Sequence, residues 1–322
     1  MITMKQIYKE KTILNAINHL KRKEMLSILK IQTTVIKTIE NFMISRSFLQ
    51  LMPVITANIT DPLGPDPGST IVSIPKIKYY NKELVLTQSM ILHKQLALLS
   101  GADKIFIMSP NIRLENSSRK ETCKHSIEFT QMDFEIKNGT MNDVMSLMED
   151  LVIEVISKVL EERREELKIL GRELKIPQKP FKVYTTHELE EIYGKNWEMA
   201  ASLKHEYPFW AICFKREFYD REDPENPGHY RNYDLIYPEG FGEALSGGER
   251  EWNYDRILTR IKKDGLNPKN FKEYLEVAKM GLLSPSAGAG IGIERLVRFL
   301  TGAKHIGDIQ PFRRVPGEKI IF

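Results

Sequence analysis

Residues 111–136 read NIRLENSSRKETCKHSIEFTQMDFEI, and their period-two alternation decides the fold. In the first arm Ile112 and Leu114 point one way while Arg113 and Glu115 point the other. In the second arm Met132, Phe134 and Ile136 share one face, opposite Phe129, Gln131, Asp133 and Glu135. Between the arms lies a polar, basic loop with Ser117, Ser118, Arg119, Lys120, Lys124 and His125. This is the pattern of an antiparallel hairpin with one packed and one hydrophilic face. A polar face that simply meets water is the ordinary outcome. Here the row mixes the aromatic Phe129 with Arg113, Gln131, Asp133, Glu115 and Glu135. Opposite charges on neighbouring arms favour pairing across the ladder, and the clustered cations and hydroxyls suit a polyphosphate.

Outward from the hairpin, composition sets bounds. The chain has 322 residues, 42% hydrophobic and 28% charged, enough for one large domain or two small ones with a well-packed core. A net charge of +4 makes no electrostatic case for a dedicated nucleic-acid binder. Two cysteines, Cys123 and Cys213, are too few and too isolated for a disulfide framework or a zinc site, which fits a reducing, cytoplasmic compartment. No long apolar run and no signal-peptide pattern occur, so neither membrane nor export is expected.

Residues 23–46 carry Met25, Ile28, Leu29, Val35, Ile36, Ile39 and Phe42 at helical spacing, with an extended segment holding Pro53 after them. Residues 56–69, TANITDPLGPDPGS, form a loop with Asp61 and Asp66 as weak site candidates. A short strand at 83–86 precedes the octet QSMILHKQ, residues 88–95, which opens a helix ending near Gly101. Residues 142–170 read as one long helix. A capping box from Thr185 to Glu188 starts another, on which His187 reads as a surface histidine. Residues 209–214 form a buried strand with Cys213 inert inside it, and residues 220–224 a solvated charged turn. Two carboxylates, Asp234 and Glu243, brought together by a turn could share a hard divalent cation. Helices at 253–263 and 268–280 lead to the run Gly288-Ala289-Gly290-Ile291-Gly292, where glycines admit close backbone approach before a further helix.

Arg113-Leu114-Glu115, the loop, and Glu128-Phe129-Thr130-Gln131-Met132-Asp133 together resemble motif 2 of class II aminoacyl-tRNA synthetases of the aspartyl/asparaginyl type. The helix and Pro-bearing strand of 23–55 resemble motif 1, and the glycine run ending in Glu294-Arg295 resembles motif 3. The resemblance implies an α+β fold, an antiparallel sheet flanked by helices in one catalytic domain, and a homodimer built on motif 1. It also implies ATP and Mg²⁺. Arg113 would hold the α-phosphate, Glu115 the adenine amino group, Phe129 the adenine face and Arg295 the γ-phosphate, with His125 also on ATP. Asp133 would receive the substrate ammonium, and Asp234 and Glu243 the metal.

The octet resembles an aspartyl-type segment whose lysine, here Lys94, binds a carboxylate of aspartate, with Met90 and Ile91 departing from the pattern. Gly242-Glu243 through Arg250-Glu251 resembles an asparaginyl-type segment, in which Arg250 clamps a carboxylate and Glu251 accepts from the asparagine amide. Gln88, Gln131 and Ser246 complete the implied amino-acid site. About twenty residues precede the first expected helix, so the expectation is a catalytic core with an N-terminal extension and no anticodon-binding barrel. That points to an asparagine synthetase that joins aspartate and ammonia at the expense of ATP, with tRNA not expected as a partner. A ligase acting on tRNA or a protein, and a non-catalytic regulatory paralogue, are the alternatives.

Overall fold

The computed structural model describes residues 4–63 and 70–322, with the side chains of residues 4–10 left out. Asp66 lies outside the described residues. Eight strands form the central sheet: β1 (Leu49–Leu51), β2 (Lys104–Ile112), β3 (Glu128–Lys137), β4 (Lys182–Thr185), β5 (Phe209–Ile212), β6 (Asn232–Tyr237), β7 (Gly242–Glu249) and β8 (Ser286–Gly292). Their order is β1-β2-β3-β8-β7-β6-β5-β4. The six middle strands are antiparallel, and β1 and β4 add parallel pairs at the two edges. This is the helix-flanked, largely antiparallel sheet that the sequence leads one to expect.

Helix α1 (Met4–Leu20) occupies the stretch expected to be an extension, so the chain begins its helical structure earlier than the periodicity suggests. Helix α2 (Lys23–Ser45) follows the apolar spacing closely, with Ile31, Val35, Ile39 and Met43 fully buried. Helix α3 (Ile91–Ala97) continues into a 3-10 turn that ends at Gly101, whose φ of 91° suits the residue without a Cβ. The long helix expected at 142–170 is two: α4 (Met141–Glu162), capped by Thr140 and Asp143, and α5 (Arg164–Leu170), with the break at Arg163. Then follow α6 (Thr186–Tyr193), α7 (Trp197–Lys204), α8 (Tyr254–Lys263), α9 (Lys272–Lys279) and α10 (Ile293–Thr301). No helix among the described residues is long and apolar enough to cross a membrane.

Met132 and Phe134 of β3 face the main core, where α2, α4 and α10 cover the sheet and Phe48 meets the Phe134 ring edge-on at 5.9 Å. Removing a ring so enclosed costs about 3–5 kcal/mol. A second cluster joins α3, α8 and α9 through Leu92, Phe218, Ile257 and Tyr274.

The hairpin differs from its expected form in one arm. β2 runs back to Lys104 and ends at Ile112, and Leu114–Glu115 leaves it to pair with Ile71–Ser73. The loop carries a 3-10 turn at Ser117–Thr122. The row opposite Met132 and Phe134 is not a solvated face either, since Asp133 and Glu135 are buried.

Candidate active site

Register explains how two carboxylates fit inside the sheet. On β8, Gly290 stands opposite Asp133 and Gly288 opposite Glu135. A Cβ at Gly290 would lie 2.7 Å from Asp133 Oδ1, and one at Gly288 would lie 2.3 Å from Glu135 Oε2 and 2.1 Å from the Phe134 carbonyl. The glycine run therefore makes room for acids on the neighbouring strand.

Charged groups inside a protein survive only in company. Lys94, on α3 and 1% exposed, places Nζ 3.2 Å from Asp133 Oδ1 and 3.6 Å from Glu135 Oε2, and donates to the Ala289 carbonyl at 3.2 Å. Arg250, just past β7, pairs with Glu135 at 3.1 Å and Asp220 at 3.5 Å and donates to the Gly288 carbonyl at 2.9 Å. Ser286 and Asn232 donate to Glu135 and Asp220 in turn. The result is an alternating row, Asp133–Lys94–Glu135–Arg250–Asp220, along the pocket floor. One atom in it stands apart: Asp133 Oδ2 is buried with no hydrogen-bond partner among the described residues. A buried carboxylate oxygen left this way is a prepared acceptor for a cation.

Above the floor the pocket turns basic. Arg113 donates to the Gln88 carbonyl at 3.0 Å and holds its guanidinium 5.1 Å over the Phe129 ring. Glu115 accepts from Thr70, which also accepts from Arg119. Arg295 pairs with Glu243 at 3.0 Å, and Lys124 pairs with Glu198. Burial and the cations of Arg295, Lys124 and Arg119 push His125 down to about 2, so its ring stays neutral and can only accept or donate a hydrogen bond. Glu294 binds the Thr130 N–H through both oxygens at 3.0 Å, tying α10 to β3, and burial pushes it up to about 7.

Asp234 and Glu243 sit on adjacent antiparallel strands, β6 and β7. Burial, with the charge of Glu243, pushes Asp234 up to about 7 against the opposing pull of Arg216. Burial alone would raise Glu243, but Arg295, Lys124 and Arg216 outweigh it and hold that carboxyl well below its ordinary range. Two carboxylates on adjacent strands offer the hard oxygen donors that a divalent cation takes. Glu243 reaches the pocket lining; Asp234 stands behind it, bound to Arg216 at 2.8 Å.

The fold gathers Lys94, Arg113, Glu115, His125, Phe129, Gln131, Asp133, Glu243, Ser246, Arg250 and Arg295 around one pocket. Three expected members stand outside the lining: Asp234, behind Glu243 on Arg216, and Gln88 and Glu251. Gln88 is buried beside the lining, its Nε2 donating to the Asp61 carbonyl. Glu251 turns away to accept from the N–H groups of Trp252 and Asn253 and to pair with Arg256 at 2.9 Å, so it braces the entry to α8. The turn read as solvated is corrected as well: Asp220 is buried and lines the pocket with Arg216, Glu217 and Tyr219. Charges interleaved with Phe218 and Tyr219 were the available signal, for a solvated turn has no use for two aromatics. Asp61, expected only weakly, does reach the pocket, where it accepts from the Tyr219 hydroxyl at 2.8 Å.

The chain is similar to known proteins over nearly its whole length. The family described as tRNA synthetases class II (D, K and N) matches residues 9–316. The aspartate–tRNA(Asp/Asn) ligase of Sulfurisphaera tokodaii is 32% identical over 314 residues, covering 92% of this chain and 70% of that protein. The asparagine–tRNA ligase of Thermococcus gammatolerans is 29% identical over 317 residues, covering 92% and 71%. Among solved structures, asparaginyl-tRNA synthetase from Pyrococcus horikoshii complexed with asparaginyl-adenylate superposes with a TM-score of 0.84 at 26% identity, covering 95% of this chain and 72% of that one.

Proposed function

The chain belongs to the class II tRNA synthetase family of the D, K and N type, and from that premise we propose that it is an ATP-dependent aspartate–ammonia ligase. The observation that carries the reading is the pocket floor. The unpartnered Asp133 Oδ2 takes the substrate ammonium, and the buried cations Lys94 and Arg250 beside it take a carboxylate. A substrate with one ammonium and two carboxylates then presents its second carboxylate to the basic, phosphate-binding side.

Arg113 holds the α-phosphate, Phe129 stacks on adenine, Glu115 and His125 complete the ATP site, and Arg295 meets the γ-phosphate. Asp234 and Glu243 would hold Mg²⁺, which when bound would supply charge neutralisation on the phosphates. An oxygen of the reacting carboxylate attacks the α-phosphorus and pyrophosphate leaves, giving the acyl-adenylate. The chain's contribution is alignment and charge stabilisation. Ammonia then attacks the acyl carbon, AMP leaves, and the nitrogen gives up a proton to form the amide. For asparagine to result, the α-carboxylate lies on Lys94 and Arg250 and the side-chain carboxylate faces ATP. Asp61, Glu217 and Asp220 line one wall, along which ammonia would approach, and Glu251, turned away just ahead of α8, is not placed to orient it. Exposed Leu49 and Met52 at the β1 edge support a dimer contact there.

The relatives' names favour a second reading, transfer of the activated amino acid to tRNA. One experiment separates the two. Purified protein with Mg-ATP and aspartate is assayed for AMP and asparagine with ammonium, with tRNA, and with neither. AMP matched by asparagine, dependent on ammonium alone, is the expected result. AMP release that requires tRNA and yields no asparagine would overturn the proposal in favour of the second reading.

A further inference from the structure

Away from the pocket, the fold brings together three side chains that the reaction does not use. His187 lies in the first turn of α6, Cys213 directly follows β5, and His229 stands near the end of the excursion that connects β5 to β6. One ligand atom from each, an imidazole nitrogen, the thiol sulfur and a second imidazole nitrogen, lies within 4.8 Å of the other two. The histidine rings are 5.7 Å apart between centroids. On a tetrahedral zinc such atoms would stand about 3.3–3.6 Å apart, so small side-chain rotations close the set.

A further observation points to a ligand. His229 Nδ1 is buried and has no hydrogen-bond partner among the described residues, although the residue's backbone is bonded on both sides, to Asn226 and Asp223. Cys213 leaves its strand at φ 70°, outside the range an ordinary residue prefers, and its carbonyl is held there by the Thr186 hydroxyl at 2.9 Å. The sequence taken alone treats Cys213 as inert and His187 as a surface residue; their juxtaposition needs the tertiary structure.

We propose that His187, Cys213 and His229 form a binding site for a borderline-soft divalent metal of the zinc type, with the fourth position open to water. Imidazole and thiolate are the donors that such a metal prefers over Mg²⁺. On binding, the Cys213 thiol releases its proton to solvent and the sulfur–metal bond forms. The site is structural in effect: it fastens both ends of the excursion 213–231 to α6, and that excursion carries Arg216, Glu217, Tyr219 and Asp220 to the pocket. The proposal stands independently of which acceptor the activated amino acid meets.

The test is a Co²⁺ titration of the full chain after chelator treatment. We expect one Co²⁺ per chain with a thiolate-to-metal charge-transfer band, abolished by Zn²⁺ competition and by Cys213→Ser, and weakened by about tenfold or more in His229→Gln. Asp234→Asn should keep the band, which separates this site from the carboxylate pair. Far-ultraviolet circular dichroism of Cys213→Ser shows that the variant is folded. Zn²⁺ should also slow tryptic cleavage within the excursion by about threefold or more in the parent but not in Cys213→Ser. Cobalt binding without the band, or a band that persists in folded Cys213→Ser, would overturn the proposal.

Discussion

Replacing Asp133 by Asn tests the centre of the reasoning, because it preserves shape and removes only charge. In the folded chain Asp133 Oδ1 meets Lys94 at 3.2 Å while Oδ2 has no partner among the described residues. Lys94 keeps the Ala289 carbonyl at 3.2 Å and Glu135 at 3.6 Å after the change. The fold thus loses at most one charge-assisted bond, about 1.5–3 kcal/mol. The substrate loses more. A buried ammonium deprived of its carboxylate costs about 2–5 kcal/mol. At 1.36 kcal/mol per decade that is about a 30- to 5,000-fold drop in kcat/KM for aspartate. Asp133 lies on the floor and not on the basic side with Arg113 and Arg295, so the KM for ATP should stay within about threefold of the parent. The assay is aspartate-dependent exchange of pyrophosphate into ATP, with a thermal melt to confirm folding. A folded Asp133→Asn protein whose kcat/KM for aspartate stays within about threefold of the parent would refute the placement of the ammonium.

Gly290→Ala puts a methyl 2.7 Å from Asp133 Oδ1 and 3.0 Å from Gln131 Nε2, so it should cost about 1–3 kcal/mol in urea unfolding and raise the aspartate KM more than the ATP KM. Equal effects on the two KM values would contradict the register argument. Arg295→Lys retains charge but loses the planar guanidinium that now meets Glu243 through one nitrogen and the Lys124 carbonyl through Nε, and should raise the ATP KM by about tenfold while the aspartate KM holds; an unchanged ATP KM would remove Arg295 from the phosphate site. For His125 the folded pKa, about 2, lies below the ordinary 6.5, so the unfolded chain binds a proton that the folded chain rejects. Its contribution to stability is present above about pH 6.5 and is lost as pH falls towards 2. Relative to His125→Gln, the parent should lose up to about 1.4 kcal/mol per pH unit between about pH 6.5 and 4.5. Urea unfolding of both proteins across that window checks it, and parallel pH profiles would show that the ring is not shielded from protonation.

Much of this molecule is local and therefore legible in the chain. The alternation of residues 128–137 specifies a strand because side chains on a pleated backbone point to opposite faces with period two. Apolar spacing places α2, and the capping box at Thr185 places the start of α6. The order of the three motifs, with Lys94 and Arg250 in the two intervals between them, implies by resemblance a pocket for ATP and an amino acid. What tertiary structure alone decided concerns partners distant in sequence. Glu135 is buried because Gly288 faces it across a register set 153 residues later in the chain, and because Lys94 and Arg250 converge on it from separate elements. Asp220 looks like a solvated turn until Arg250 and Asn232 are brought to it, and Glu251 looks like a substrate ligand until the start of α8 claims its oxygens. A charge in water needs no partner and a buried one does, so its fate depends on contacts that local sequence does not encode.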